Sequence, residues 1–442
     1  MAKKNVLLES QCHYICIVIK YEEFQLENGL KVIHHFDPKK SRAILNLLYN
    51  VGARDEDSEK TGFAHLFEHL MFEGSENVAS FDSELQKAGG VNNAFTSNDI
   101  TNYYIEVPAV NIETAFWLES DRMKQLAFSE ESLKVQQGVV IEEFKQRYLN
   151  QPYGKVYMHM RELAYKKHPY RWATIGKEIS HIQNATLQDV KDFFNKFYHP
   201  GNAVLCLAGN ISLQKVKDLT VKWFGDIPKG EVNENKYVQE PKQIKSREFF
   251  APQKNAEKSI YIGFHKPEKK NKINYAGNIL ASLLTDGEDS YLYQVLVKTK
   301  KIFSSINSYN GSENDPGLFY IMGKLNKGYN TRDGLKAVMD EIENLKVSEF
   351  INETKVKGKV NKLVTSKIYQ DTNLLNRAMS LCFGKNEGNI NLINEDLKSY
   401  KNVEVKQLKL FLNRYLIKEN SNTRIRTIIK KKLTGIIIIH CE

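Results

Sequence analysis

The chain has 442 residues, of which 41% are hydrophobic and 26% are charged. Because one hydrophobic core stops growing well below this length, we expect at least two domains. No run approaches the roughly 18 to 20 continuous apolar residues that a membrane-spanning helix requires, so we predict no membrane span. The formal net charge of +10 comes from lysines spread along the chain, which disfavours a nucleic-acid-binding protein. Residues 424–432 form the one dense basic cluster, and nucleic-acid binding through it is an alternative hypothesis.

The cysteines and the first residues bear on location. The five cysteines are odd in number and widely spaced, which argues against a disulfide framework and fits a reducing compartment. The apolar run near the start is interrupted by polar residues before it reaches the length typical of a signal peptide. We therefore expect an atypical leader over residues 1–20 and a cytoplasmic location, with a periplasmic or secreted location left open.

In chain order, residues 21–224 are predicted to form a first domain of strands and helices. A strand pair over 21–37 turns through Asn28-Gly29, a strong hairpin dipeptide. Further strands are expected at 43–51, within 93–107 and at 203–208. Helices are expected at 61–72, 81–88, 110–126 and 129–149, with another that starts at Thr186.

A second set of elements follows a change in composition. Residues 225–246 contain proline, glycine and charged residues without a periodic apolar face, which predicts a linker. Strands are then expected at 259–264, 304–309 and 318–325, with helices at 275–284, 291–300 and from 331 onward. We therefore predict an α+β fold of two similar domains, 21–224 and 247–420, each an antiparallel-rich sheet covered by helices. Residues 421–442 are expected to form an atypical basic and apolar tail.

The sequence His-Leu-Phe-Glu-His at 65–69 is the most informative motif. On a helix, positions i, i+3 and i+4 share one face, so both imidazoles and the carboxylate project to one side. Two neutral histidines can then bind one zinc ion at about 2.0–2.1 Å. Zinc lowers the pKa of bound water from about 15.7 to about 7, and a carboxylate that is not a ligand can accept the proton. We predict His65 and His69 as ligands and Glu68 as general base; a solvated helix face is the alternative.

A catalytic zinc site needs a third protein ligand and an open position for water. On the predicted helix that contains residues 136–144, one face is shared by Gln136, Val139, Val140 and Glu143, whereas Glu142 points about 100° away. A carboxylate on an apolar face requires a partner, because burying it unpaired is costly. We therefore predict Glu143 as the third ligand, with Glu142 as the alternative. The reversed order of the histidines and Glu68 is the inverzincin signature.

Several segments resemble the pitrilysin family of zinc metallopeptidases, which includes mitochondrial processing peptidase and insulin-degrading enzyme. Residues 62–72 resemble its zinc-binding helix, and residues 139–143 resemble the helix with the third ligand. Residues 198–203 and 208–210 resemble the segment that closes its first domain. The similarity covers roughly residues 21–415; it is strong in the first half and only architectural in the second. In length, the chain resembles the short bacterial members of the family that are related to processing peptidase.

The resemblance implies a zinc metalloendopeptidase, a hydrolase with one Zn²⁺ per chain. It also implies that Asn93, Ala94, Phe95 and Thr96 lie on an edge strand that binds an extended peptide substrate by β-augmentation. The chain would form half of a clamshell and act as a homodimer or as a heterodimer with a related chain. A non-proteolytic structural or partner subunit of the same family is the alternative function.

Two departures from the family pattern matter for chemistry. Many relatives carry a glutamate seven residues before the third ligand, where this chain has Gln136, which can hydrogen-bond around the metal ligands but adds no negative charge. The family often holds the substrate carbonyl with an arginine and a tyrosine in the second domain. The corresponding positions here are Val297 and Ser304, with Lys298 as a weak substitute. We therefore expect a partner chain to supply these groups.

Overall fold

The computed structural model describes residues 18–231, 237–253 and 257–428, and contains two β-sheets with helices packed on them. Most of the expected leader, part of the expected linker and the last fourteen residues lie outside the described residues, as do Cys12, Cys16 and Cys441. In the described parts of the linker, 225–231 and 237–246, there is no helix or strand beyond the cap of the preceding helix. Within the described ranges, no helix is long and apolar enough to cross a bilayer.

The first sheet has six strands in the order β1-β2-β6-β3-β5-β4. The strands β2 and β6 pair in parallel, whereas all the other neighbours are antiparallel. Gly29 lies in the predicted turn between β1 and β2 at φ 89°, a left-handed conformation that favours glycine. The strands are β1 Glu22–Gln25, β2 Lys31–Phe36, β3 Arg42–Tyr49, β4 Val91–Thr96, β5 Thr101–Pro108 and β6 Ala203–Gly209.

Helices from the first half cover one face of this sheet and bury the largest core. Their bounds are α1 Phe63–Leu70, α2 Phe81–Lys87, α3 Ile112–Lys124, α4 Glu130–Phe144, α5 Val156–Ala164, α6 Ile179–Gln183, α7 Leu187–Phe197 and α8 Leu213–Phe224. A π-helical turn, Lys145–Leu149, continues α4. The predicted helices of this half are confirmed within a few residues, whereas the sequence pattern predicted none of α5, α6 and α8.

The second sheet repeats the first without its β1 strand, in the order β7-β11-β8-β10-β9. Its β7 and β11 strands are again parallel and the remaining pairs antiparallel. Its strands are β7 Arg247–Gln253, β8 Ser259–His265, β9 Phe303–Asn310, β10 Leu318–Leu325 and β11 Ser421–Ile428. Its helices are α9 Ile273–Thr285, α10 Thr331–Val347, α11 Glu353–Gln370, α12 Leu374–Asn386, α13 Leu392–Lys401 and α14 Val405–Tyr415, with a π-helical segment at Tyr293–Thr299. The predicted α+β class with two similar sheet-and-helix halves is confirmed.

The expected end of the second domain at residue 420 is wrong. Instead of starting an atypical tail, β11 lies between β7 and β8. Within this strand Ile425 is fully buried, and Arg424 is 3% exposed and donates from Nε to Nδ1 of His159 at 3.2 Å. Arg424 is therefore part of the fold and does not belong to an exposed basic surface.

Each half contributes one helix that packs on the sheet of the other half. From the second half, α12 packs on the other face of the first sheet, where Leu381 and Cys382 are fully buried. From the first half, α5 packs on the second sheet, and Ala164 clusters there with Leu318. Ile19, within the expected leader, is buried in the same cluster as α12. Each sheet is therefore covered on both faces only when both halves are present.

A polar network also joins the halves. Arg54 contacts Asp99 at 2.9 Å and Asp315, in the loop before β10, at 3.1 Å. His168 Nε2 lies 3.3 Å from the Asp315 carboxylate. Burial alone would raise the pKa of Asp315, but the hydrogen bond to His168 and the charge of Arg54 outweigh it and lower that pKa. Because these groups come from both halves, the network stabilises their contact.

Candidate active site

The helix with the predicted zinc motif, α1, is held at its first residue by backbone geometry and a buried acid. Gly62 precedes it at φ 93°, and a Cβ there would lie 2.8 Å from the Ile175 carbonyl oxygen, so only glycine fits. The buried Glu56 carboxylate accepts hydrogen bonds from the amides of Gly62 at 2.8 Å and Ala64 at 2.9 Å. Burial nevertheless raises the pKa of Glu56 well above its usual range. Sequence reasoning missed Glu56, whose signal was an acid seven residues before the first residue of a helix.

Three predicted ligand side chains converge on one point. His65 and His69 project from α1, and Glu143 projects from α4. The Glu143 Oε2 atom lies 3.6 Å from Nε2 of His65 and 3.6 Å from Nε2 of His69. One donor atom from each residue lies within 4.8 Å of the others, the distance expected of a set that could hold a metal ion. These side chains are between 12% and 24% exposed, so the point stays accessible to solvent.

This donor set fits zinc. With Zn–N and Zn–O distances of about 2.0–2.2 Å, tetrahedral ligand atoms lie about 3.4 Å apart, close to the separations between Glu143 and the two imidazoles. Burial, with the positive charges of His69 and Arg147, lowers the pKa of His65 to about 3. The His65 imidazole is therefore neutral at neutral pH, the form that binds metal.

Glu68 lies on the same helix beside the ligand atoms. Its carboxylate accepts a 2.6 Å hydrogen bond from the Thr96 hydroxyl, at the end of β4. Burial raises the pKa of Glu68, although the Thr96 hydrogen bond opposes the shift. A half-buried carboxylate with a raised pKa and a fixed orientation has the properties of a general base or acid.

Other side chains orient the candidate ligands. The Nδ1 atom of His69 donates to Oε1 of Gln136 at 3.2 Å, which leaves the His69 Nε2 lone pair directed at Glu143. Nε2 of Gln136 in turn donates to Glu73. Arg147, in the π-helical turn, contacts the second oxygen of Glu143 at 2.9 Å. Gln136 thus connects His69 to a carboxylate, and sequence reasoning missed both Glu73 and Arg147.

The alternative ligand Glu142 is directed elsewhere. Its side chain is 61% exposed and pairs with Lys145 at 2.6 Å. Helical geometry explains the difference from Glu143, because consecutive residues are separated by about 100° around the axis. Glu142 therefore offers a matched control for substitutions at Glu143.

The four predicted substrate-binding residues lie on β4, the outermost strand of the first sheet. β4 pairs with β5 on one side, and its other edge has no partner strand among the described residues. Ala94 packs against the first core and Thr96 contacts Glu68, whereas Phe95 lies on the opposite face of the sheet. Asn93 is exposed.

The positions where the family places an arginine and a tyrosine supply neither group here. Val297 packs against the second core. The Ser304 hydroxyl donates to the carbonyl of Lys324 at 3.2 Å. The Lys298 ammonium lies 5.4 Å from the centre of the Tyr293 ring.

Comparisons with known proteins identify the family of the chain. Residues 31–178 match the model of the insulinase peptidase family, M16, and residues 184–363 match that of the M16 inactive domain. The chain is 32% identical to the zinc protease PqqE of Helicobacter pylori over 362 residues, 80% of this chain and 81% of that protein. It is 30% identical over 210 residues to the mitochondrial-processing peptidase beta subunit of Saccharomyces cerevisiae, covering 47% and 45% of the two chains.

A solved structure of a protease from Helicobacter pylori has the same fold. The two structures superpose with a TM-score of 0.85 at 29% identity, over 92% of this chain and all of the other. Both halves of this chain are therefore represented in a single relative of similar extent. The chain belongs to the M16 family of peptidases, the pitrilysin family.

Proposed function

We propose that the chain is a zinc endopeptidase in which His65, His69 and Glu143 bind one zinc ion and Glu68 is the general base. The convergence of the three donor atoms within 4.8 Å, beside the Glu68 carboxylate, carries this proposal. Zinc, when bound by such a set, acts as a Lewis acid that acidifies water and polarises a peptide carbonyl.

The chain's own groups then move the proton. Glu68 accepts it from the attacking water and donates it to the leaving amine, which requires one carboxylate oxygen to remain free. The Thr96 hydroxyl donates to Oε2, so we propose Oε1 as the oxygen that takes the proton. The raised pKa of Glu68 favours its return of the proton to the amine. This division of roles assigns Thr96 to positioning and Glu68 to catalysis.

Extended peptides or unfolded segments are the proposed substrates. The free edge of β4 can pair with an added strand through backbone hydrogen bonds, which depend little on sequence. Because Thr96 at the end of β4 contacts Glu68, a strand added there lies next to the candidate zinc site.

We further propose that the chain works as a dimer, with itself or with a related chain. Val297 and Ser304 offer no side chain suited to hold a substrate carbonyl, so a partner is proposed to supply it. Full activity of a purified homodimer would contradict the need for a related chain. A cytoplasmic location and the lack of nucleic-acid binding remain predictions.

Zinc content and peptide hydrolysis test the proposal together. We expect one zinc per chain in the wild type, loss of zinc in Glu143→Gln and retention in Glu142→Gln, whose parent side chain points away. Glu68→Gln should keep the metal and lose hydrolysis of a quenched peptide. A wild type that binds zinc but cleaves no peptide, alone or with a related chain, would favour the non-proteolytic subunit.

A further inference from the structure

A basic cleft of about 700 Å³ lies in the second half, and none of the candidate zinc ligands lines it. Its walls come from residues within 266–278, the end of β9 and the loop after it, the end of α11, the end of α12, and α13. Both aromatic and amide side chains line it, so it offers apolar contact and hydrogen bonds. The aromatic side chains that line it are Tyr275, Phe383 and Tyr400.

Lysines outnumber acids in this cleft. Five lysines line it: Lys266, Lys269, Lys270, Lys272 and Lys367. Its three carboxylates are already engaged. Glu387 pairs with Lys269 at 2.5 Å, Asp396 accepts a 2.6 Å hydrogen bond from Tyr275, and Glu395 accepts hydrogen bonds from two asparagines.

Three of the lysines have no such partner. Within the described residues, Lys266, Lys270 and Lys272 have no carboxylate within ion-pair distance, 4.0 Å. Lys266 is 2% exposed, and burial lowers its pKa; Glu313 acts on it only at longer range. A nearly buried ammonium without an ion-pair partner is costly, which distinguishes Lys266 from an ordinary surface lysine.

An unpartnered acceptor lines the same cleft. The Nδ2 atom of Asn310 donates to Asn278 Oδ1 at 2.9 Å and contacts Asn274, while its buried Oδ1 has no hydrogen-bond partner among the described residues. An acceptor of this kind suits a backbone N–H. Ammonium groups together with a free acceptor suit a peptide that carries a carboxylate.

The cleft adjoins the proposed substrate strand. The ring of Phe95 on β4 lies 6.3 Å from that of Phe383, which lines the cleft. Successive side chains of a strand point to opposite faces of a sheet. In a peptide paired with β4, every second side chain would therefore project to the side of Phe95, and the others to the side of Thr96 and Glu68.

We infer that this basic cleft is a specificity subsite for acidic side chains of the substrate, at alternate positions of the peptide that pairs with β4. The inference rests on the proposed peptidase function and names a preference within it. The ammonium groups of Lys266, Lys270 and Lys272 attract the carboxylate, and Phe383 packs against its aliphatic part.

Quenched peptides that carry a single Glu or Gln at each successive position test the inference, with the cleaved bond identified by mass spectrometry. At alternate positions we expect Glu to raise kcat/KM over Gln by about fivefold, mainly through KM, and less at high salt. Equal Glu and Gln rates at every position, or a preference without alternation, would overturn it.

Variants connect the preference to the cleft. Lys270→Glu with Lys272→Glu changes exposed residues and should abolish the preference for Glu. The control, Lys215→Glu with Lys217→Glu, makes the same charge change at exposed positions of α8 and should retain it. Equal losses in both double variants would show a general charge effect and refute the subsite.

Binding in a Glu68→Gln background separates this inference from the proposed function. Fluorescence anisotropy should show tighter binding of the Glu peptide than of its Gln counterpart, without any hydrolysis. If the wild type cleaves peptides but this difference is missing, the subsite fails alone. If no peptide is cleaved and the difference persists, the proposed function fails and the cleft remains a binding site.

Discussion

Replacing Thr96 by valine removes the hydroxyl that holds Glu68 while preserving the shape of the side chain. The hydrogen bond is 2.6 Å long and its acceptor is a half-buried carboxylate. Hydrogen bonds to charged groups contribute about 1.5–3 kcal/mol, so the loss should lower kcat by roughly tenfold to a hundredfold. Because the peptide is proposed to contact the backbone of β4, KM should change little. The metal ligands are untouched, so zinc content should stay at one per chain.

The assay is steady-state hydrolysis of a quenched peptide, with zinc measured on the same protein. Thr96→Ser retains a hydroxyl and should restore kcat to within about threefold of wild type. If Thr96→Val left kcat unchanged, Glu68 would not depend on this hydrogen bond and the positioning role would be wrong. If Thr96→Val and Thr96→Ser fell equally, the methyl group and its packing would be the cause.

Three further predictions concern the metal and the fold. Gln136→Leu removes the acceptor for His69 Nδ1 and should weaken zinc binding by about tenfold in chelator competition; unchanged affinity would contradict its role. Because folding lowers the pKa of Asp315 below its usual value of 3.8, the ionised carboxylate stabilises the fold at pH values above 3.8. This stabilisation is lost as the pH falls through the lowered pKa. Urea unfolding should therefore show that Asp315→Asn is destabilised at pH 7 and depends less on pH in the acid range; parallel curves would refute this. Leu381→Ala opens a cavity under the first sheet and should cost about 2–5 kcal/mol, whereas the half-exposed Leu410→Ala should cost little; similar losses would contradict the packing of α12 on the first sheet.

The candidate site was predictable because its key residues follow local spacing. His65, Glu68 and His69 share a face through the helical period alone, and the same period separates Glu143 from Glu142. No local rule states that α1 and α4 meet; Glu143 was proposed from its place on an apolar helix face, and the resemblance to a family supported that choice. Glu73, Glu56 and Arg147 were missed because a charged residue near a helix end is usually solvent-exposed, and only three-dimensional contact shows its partner.

For the fold too, the sequence predicted the individual elements, and only the tertiary structure decided how they pack. Periodicity and turn residues specify the strands, the helices and the order in which they repeat, because these patterns depend on neighbours a few residues away. The placement of α12 on the first sheet, of α5 on the second and of β11 between β7 and β8 depends on contacts between residues that are far apart in the chain. The hydrophobic effect that drives these contacts is non-directional. A local sequence pattern therefore shows which residues are buried, whereas the residues that they pack against are determined only by the tertiary structure.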